Sequence, residues 1–337
     1  MTSLAVVGAT GVVGRTMLDL LEERNFPLEG LRLMASKRSA GTIIDTRWGK
    51  IEVEDLDATD PSGVDIALFS AGADRSRAHA RRFVDAGAVV IDNSSAFRGL
   101  DEIPLVVAGV NDDALAGHTG IIANPNCTTM DLMVAAGPLH RAAGLRSVVA
   151  SSYQAVSGSG SKGVDEMLRQ TEALLADPTA LRLGGWADPG AEVYVKPIAF
   201  NAVPYAGKET EQGYTDEEWK LVNESRKILG IPDLAVEPTC VRVPAVAGHG
   251  ISATLRFERA VSKAEAEEIL AEAPGGELWT DEVPTPLDAA GRDAVLIGRV
   301  RETLGEPGGI NLWVVGDNLR KGAALNTIEI AERLISA

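Results

Sequence analysis

Cysteine is scarce in this chain of 337 residues: there are two, Cys127 and Cys240, and no C-x-x-C pair. A disulfide framework and a zinc ribbon are therefore excluded. The four histidines, His79, His118, His140 and His249, show no metal-ligand spacing such as H-E-x-x-H, and no metal is expected. Positive charge is also in deficit. Against 48 Asp and Glu there are 32 Lys and Arg, a formal net charge of −16. Such a surface repels nucleic acid and anionic membranes. It also repels an anionic substrate, which would need a local cationic pocket. No apolar run approaches about 18 residues, and no basic segment precedes the first strand. A cytoplasmic protein is expected.

With 45% hydrophobic and 24% charged residues, the composition suits an α/β protein, and the length is enough for two domains. In the first third, strands alternate with helices. Strands are expected at residues 4–7, 31–34, 65–70 and 88–92. Helices are expected at 15–23, where Met17, Leu18, Leu20 and Leu21 share a face, and at 74–85, stopped by Gly87. This alternation implies parallel crossovers, hence a Rossmann-type doubly wound parallel sheet. The middle reads differently. Residues 146–155, 239–243 and 251–257 read as strands, and the turn-rich stretch 245–250 (AVAGHG) resembles a hairpin connection between the last two. That predicts an α+β domain with a mixed sheet. Residues 318–337 read as one apolar-faced helix, with the small Gly322, Ala323 and Ala324 near its start, packing back on the N-terminal domain. The expected organisation is a discontinuous cofactor domain, 1–126 plus 318–337, and a catalytic domain, 127–317.

Residues 8–14 (GATGVVG) join a strand to a helix. Gly8, Gly11 and Gly14 are spaced G-x-x-G-x-x-G rather than G-x-G-x-x-G, but the physical logic survives. Glycine permits tight turns and close approach to a pyrophosphate, and the helix start offers free N–H groups. The bland reading is a glycine-rich turn of any α/β protein. At the end of the second strand, residues 35–39 (ASKRS) lack the carboxylate that would hold a ribose 2′-hydroxyl. Ser36 and Arg38, with Ser39 beside them, could instead hold a 2′-phosphate. The alternative is a solvated basic turn; NADP is favoured over NAD.

Residues 121–130 (IIANPNCTTM) place Cys127 at or near a helix start, with helix from Thr128 and a proline, Pro138, inside it. A helix N-terminus stabilises a thiolate, and a thiol of ordinary pKa, about 8.5, is only slightly ionised at neutral pH. A buried cysteine acting as a small hydrophobe is the competing reading, and the residues alone leave both open. Cys240, in an apolar-alternating strand, is read as packing.

Taken in order, the segments 8–14 (GATGVVG), 94–98 (SSAFR), 124–128 (NPNCT), 153–158 (YQAVSG) and 217–220 (EEWK) resemble the bacterial aspartate-semialdehyde dehydrogenases. So do Arg242, seven residues before His249, and the segment 316–322 (GDNLRKG). The resemblance spans essentially the whole chain. It implies that Cys127 is an acyl-thioester nucleophile, His249 an acid–base residue, and Gln154 a residue positioning substrate near the thiol. It further implies that Arg242 clamps the substrate α-carboxylate and that Glu217 faces its α-ammonium. Arg98 and Lys220 would form a phosphate site with Asn126 beside it. Gly8, Thr10, Gly11, Val12, Val13, Ser36, Arg38, Ser39, Ser157, Gly158 and Asn318 would contact NADP. The implied reaction is NADPH-dependent reduction of L-aspartyl 4-phosphate to the semialdehyde by a homodimer. Those relatives often carry Ser after the catalytic histidine, where this chain has Gly250. Read without the resemblance, Glu217 and Lys220 are a helix pair and His249 a surface turn residue. Two rivals are an N-acetyl-glutamyl-phosphate reductase, which usually reads NPGC at the cysteine, and a non-catalytic subunit keeping the reductase fold.

Overall fold

A computed structural model describes residues 2–336. In chain order the first elements are β1 (Thr2–Val7), α1 (Val12–Glu23), β2 (Leu28–Ala35), β3 (Ile43–Thr46), β4 (Gly49–Asp55), β5 (Ile66–Phe69), α2 (Ala73–Asp85), β6 (Val89–Asp92) and β7 (Ile121–Ala123). They build a seven-stranded sheet of order β3-β4-β2-β1-β5-β6-β7, parallel except where β3 meets β4. β5 is buried at all four positions, as a strand covered on both faces should be. The doubly wound parallel sheet follows from the strand–helix alternation as expected.

Then come α3 (Cys127–Ala143), β8 (Leu145–Gln154), α4 (Ser161–Leu175), α5 (Pro178–Leu183), α6 (Asp216–Leu229), β9 (Ala235–Arg242), β10 (His249–Phe257), α7 (Lys263–Ala271), β11 (Gly276–Trp279), α8 (Pro286–Ala289), β12 (Val295–Glu302), β13 (Ile310–Gly316) and α9 (Asn326–Ser336). The second sheet has six strands in the order β11-β12-β13-β10-β8-β9 and is mixed. The chain divides into two compact units: Met1–Met133, Lys227–Gly230 and Leu319–Ala337 form one, Val134–Arg226 and Ile231–Asn318 the other. In the first, Leu4, Val6, Leu20, Leu33 and Leu68 form a core that Leu325, Ile328 and Ile330 join from the C-terminal segment. Among the described residues no helix is long and apolar enough to cross a membrane.

Two local expectations are corrected. β9 and β10 are not hairpin partners, because β8 lies between them, parallel to β9 and antiparallel to β10. Period-two burial shows that a segment is a strand without showing its neighbour. The connection 243–248 spans two strand spacings, roughly 10 Å, and hydrogen-bonds the chain leaving β8: Val156 N–H to Ala245 O (2.9 Å) and Ser157 N–H to Val246 O (3.1 Å). The C-terminal segment is not one α-helix. Arg320–Leu325 is a π-turn, with Ala324 N–H bonded to Leu319 O at 3.1 Å, and α9 follows it. A π-turn has no sequence signature distinct from α. Finally, β12 and β13 escape the sequence reading, although both are mostly buried.

Candidate active site

In the first unit, the turn after β1 is shaped by steric limits. Gly8 has φ +93°, and a Cβ there would lie 2.3 Å from Ser70 O; one on Gly14 would lie 2.3 Å from Gly8 O. Neither position accepts a side chain. α1 starts with Gly11 as N-cap, without a side-chain cap and without an acidic residue in its first turn. Its leading N–H groups thus have no local anion, which fits a pyrophosphate. Val12 is exposed while Val13 packs on the core. After β2, Ser39 N–H closes a turn on Ser36 O (2.8 Å), Thr10 Oγ1 bonds Ser39 Oγ (3.3 Å), and Arg38 is exposed.

Cys127 is the first residue of the 17-residue α3 and is half-buried. Asn126 is its cap: Oδ1 accepts from Thr128 N–H (3.0 Å) and Thr129 N–H (3.4 Å). Behind it, buried Asn124 donates to Asn93 Oδ1 (2.7 Å) and accepts from Asn326 Nδ2 (2.6 Å). Arg98 lies in the loop after β6 and donates to Asn93 O (2.9 Å). Buried Asp92 anchors that loop, accepting from Ser76 and Ser94 hydroxyls at 2.6 Å each. Burial raises the Asp92 pKa, against the lowering effect of the two serines.

In the second unit, strand register gathers the remaining residues at one end of the sheet. Gln154 ends β8 and pairs across the parallel ladder with Arg242, which ends β9. His249 starts antiparallel β10, and Gly250 pairs with Tyr153. Gln154 Nε2 donates to Glu217 Oε1 (3.3 Å), and Glu217 Oε2 accepts from Lys220 Nζ (2.9 Å), which also bonds Asp216 (3.0 Å). Burial pulls the Lys220 pKa down, but Glu217 and Asp216 outweigh it and the net shift is upward. Asn318 joins this end, bonding Ser157 Oγ (2.9 Å) and accepting from Gly248 N–H (3.0 Å).

Arg242 is 8% exposed, donates Nη1 to Ala155 O (2.8 Å), and keeps a buried Nε without a partner. A buried cationic donor left open is suited to an incoming carboxylate. His249 is not a surface turn residue: it is 1% exposed. Burial, then the charge of Arg242, push its pKa down to about 3, with Glu217 opposing. The ring is therefore neutral across the pH range in which a free imidazole titrates. Ala155 N–H donates to Nδ1 (3.1 Å), so in the neutral ring the proton sits on Nε2. Gly158 is the glycine this arrangement needs, since a Cβ there would lie 3.0 Å from Arg242 Nη1 and 3.1 Å from His249 Nε2. The residue after His249 is explained too. A Cβ on Gly250 would come within 2.2 Å of the Trp313 indole, so no serine fits, and the Ala155 amide orients the ring instead. That amide has no side chain to betray it in the sequence.

Residues 3–118 match a family described as "Semialdehyde dehydrogenase, NAD binding domain", and residues 137–321 one described as "Semialdehyde dehydrogenase, dimerisation domain". An aspartate-semialdehyde dehydrogenase of Mycolicibacterium smegmatis is 52% identical over 349 residues, covering 99% of this chain and 99% of its own. One of Bacillus subtilis is 45% identical, covering 98% and 96%. Aspartate semialdehyde dehydrogenase II of Vibrio cholerae, solved in complex with ASA, superposes with a TM-score of 0.94 at 42% identity, covering 100% of this chain and 98% of its own. The chain belongs to the aspartate-semialdehyde dehydrogenase family.

Proposed function

We propose that this dehydrogenase reduces L-aspartyl 4-phosphate to L-aspartate 4-semialdehyde through a thioester on Cys127, with NADPH as reductant. The half-buried thiol at the first residue of α3 carries the reading, because the helix end favours the thiolate. The sulfur attacks the acyl carbon, the C–O bond to phosphate breaks, and phosphate departs. When bound, NADPH supplies the hydride that reduces the thioester. Collapse of the thiohemiacetal breaks the C–S bond, releases the aldehyde and returns the thiolate, so the sulfur needs no net proton. His249, neutral with its proton on Nε2, donates a hydrogen bond to the oxyanion formed at each stage. Arg242 takes the α-carboxylate on its open Nε edge, and Glu217 takes the α-ammonium. Gln154 orients the acyl group. Arg98 faces the phosphate; Lys220, already neutralised by two carboxylates, contributes to it less.

The nucleotide would rest on the turn 8–14, its 2′-phosphate by Ser36, Arg38 and Ser39, with Ser157, Gly158 and Asn318 on the nicotinamide side. In this reading 1–126 and 318–337 bind NADP, and 127–317 carry catalysis and a homodimer contact, in the cytoplasm. The N-acetyl-glutamyl-phosphate reductase rival is not favoured, since the relatives named above act as aspartate-semialdehyde dehydrogenases by name. The test is phosphate-dependent reduction of NADP with aspartate semialdehyde, run beside NAD. Turnover should prefer NADP by about tenfold, as one charge-assisted contact allows. Cys127→Ala should lose on the order of 10⁴-fold in kcat while binding NADP normally. Retained turnover would reject the covalent route.

A further inference from the structure

Arg242 is held from a side that the reaction itself does not explain. Its Cζ lies 5.8 Å from the centroid of the Tyr194 ring, within cation–π range. Tyr194 is half-buried in the long connection between α5 and α6, in a part of it outside any helix or strand. Two buried side chains of α4 fasten that stretch. Glu166 accepts from Glu192 N–H (2.9 Å) and Val193 N–H (2.7 Å). Gln170 accepts from Ile198 N–H (2.8 Å) and donates to Gly190 O (2.7 Å). Tyr194 lies between these anchors, and its hydroxyl reaches Val156 O at 3.3 Å. The first turn of α4 makes room for it: a Cβ on Gly163 would lie 2.5 Å from Tyr194 Oη. Glycine in a helix is otherwise unfavourable, so this position has a steric reason.

We infer that Tyr194 is a positioning residue for Arg242, and through it a determinant of affinity for the α-carboxylate of the substrate. The aromatic face and the Ala155 carbonyl restrict the guanidinium from two directions. With Nη1 given to Ala155 O, the edge left for a ligand is Nε with Nη2, whose N–H groups point the same way in the guanidinium plane and match the two oxygens of a carboxylate. A carboxylate arriving there meets a donor pair already oriented, with Nε already desolvated, so little ordering remains to be done on binding. Without the ring, the side chain gains rotamers and its charge loses the attraction of the π face. The inference rests on the assignment of Arg242 as carboxylate clamp.

The test is steady-state kinetics of the full-length enzyme with aspartate semialdehyde, phosphate and NADP. Tyr194→Leu should raise KM for aspartate semialdehyde about tenfold, with kcat within about twofold and KM for NADP unchanged. Tyr194→Phe keeps the ring face and should stay near wild type. With 3-aminopropanal, which lacks the carboxylate, wild type and Tyr194→Leu should show equal kcat/KM. Should Tyr194→Leu fail to fold, Tyr194→Met, which keeps apolar bulk without a π face, carries the same expectation. If Arg242→Lys raises KM for the semialdehyde but Tyr194→Leu and Tyr194→Met do not, the inference is overturned while the clamp stands. If Arg242→Lys leaves KM at the wild-type value, the clamp itself is rejected. A rise in Tyr194→Phe equal to that in Tyr194→Leu, or a loss equal for the substrate without a carboxylate, also overturns it.

Discussion

At His249, burial and the neighbouring Arg242 act in the same direction, and Ala155 N–H occupies Nδ1. The ring is thereby kept neutral and presents an N–H rather than a base. The folded pKa, about 3, lies below the ordinary value of about 6.5. As pH falls through that ordinary value the unfolded chain takes up a proton that the folded chain refuses, so stability falls toward pH 3. Nitrogen NMR of the His249 ring should show no titration between about pH 8 and pH 5; a midpoint near 6.5 would mean that water reaches the imidazole. The sequence marks His249 as a candidate only through its family pattern. Its burial depends on how β8, β10 and β13 pair, which no run of neighbouring residues records. Gly250 is similar: its meaning comes from Trp313, 63 positions away in the chain and across the sheet.

At the scale of elements, the start of α3 does structural work and, in the proposed mechanism, chemical work as well. Asn126 was expected beside the phosphate, and the fold makes it the helix cap. Asn126→Ala should cost about 1 kcal/mol in stability, as lost caps do, measured by urea unfolding. It should also slow alkylation of Cys127 at neutral pH, because a frayed first turn holds fewer N–H groups toward the sulfur. Unchanged alkylation would separate the cap from the thiol. α1, α2, β2, β5, β6 and the body of α3 were legible because their apolar residues recur at helical or strand period. The π-turn at Arg320–Leu325 was not, since five-residue and four-residue hydrogen bonds draw on the same small and basic side chains. The apparent hairpin before His249 failed for a different reason: closeness in the chain is only a common route to strand pairing, and here β8 takes the place between.

For the whole molecule, an open face of the six-stranded sheet is the main feature left unmatched. β8 lies between β9 and β10, yet Val149 is 43% and Tyr153 37% exposed on it. Sheet faces of this kind bury themselves against another layer, and a second copy of the chain is the partner the homodimer reading supplies. Sedimentation should give twice the 35.4 kDa of one chain, and Val149→Lys should shift the balance toward single chains; a monomeric wild type would reject the dimer. The order of amino acids alone carries the fold class, the glycine turn, the helix beginning at Cys127 and the family, because each is written in neighbouring residues or in motifs kept in sequence order. Folding alone decides that Arg242, Gln154 and His249 meet at one sheet end, that His249 is neutral, that Asn126 caps a helix and that Tyr194 faces Arg242. These properties arise from through-space distance and loss of water, and both are set by strand register between segments remote in the chain.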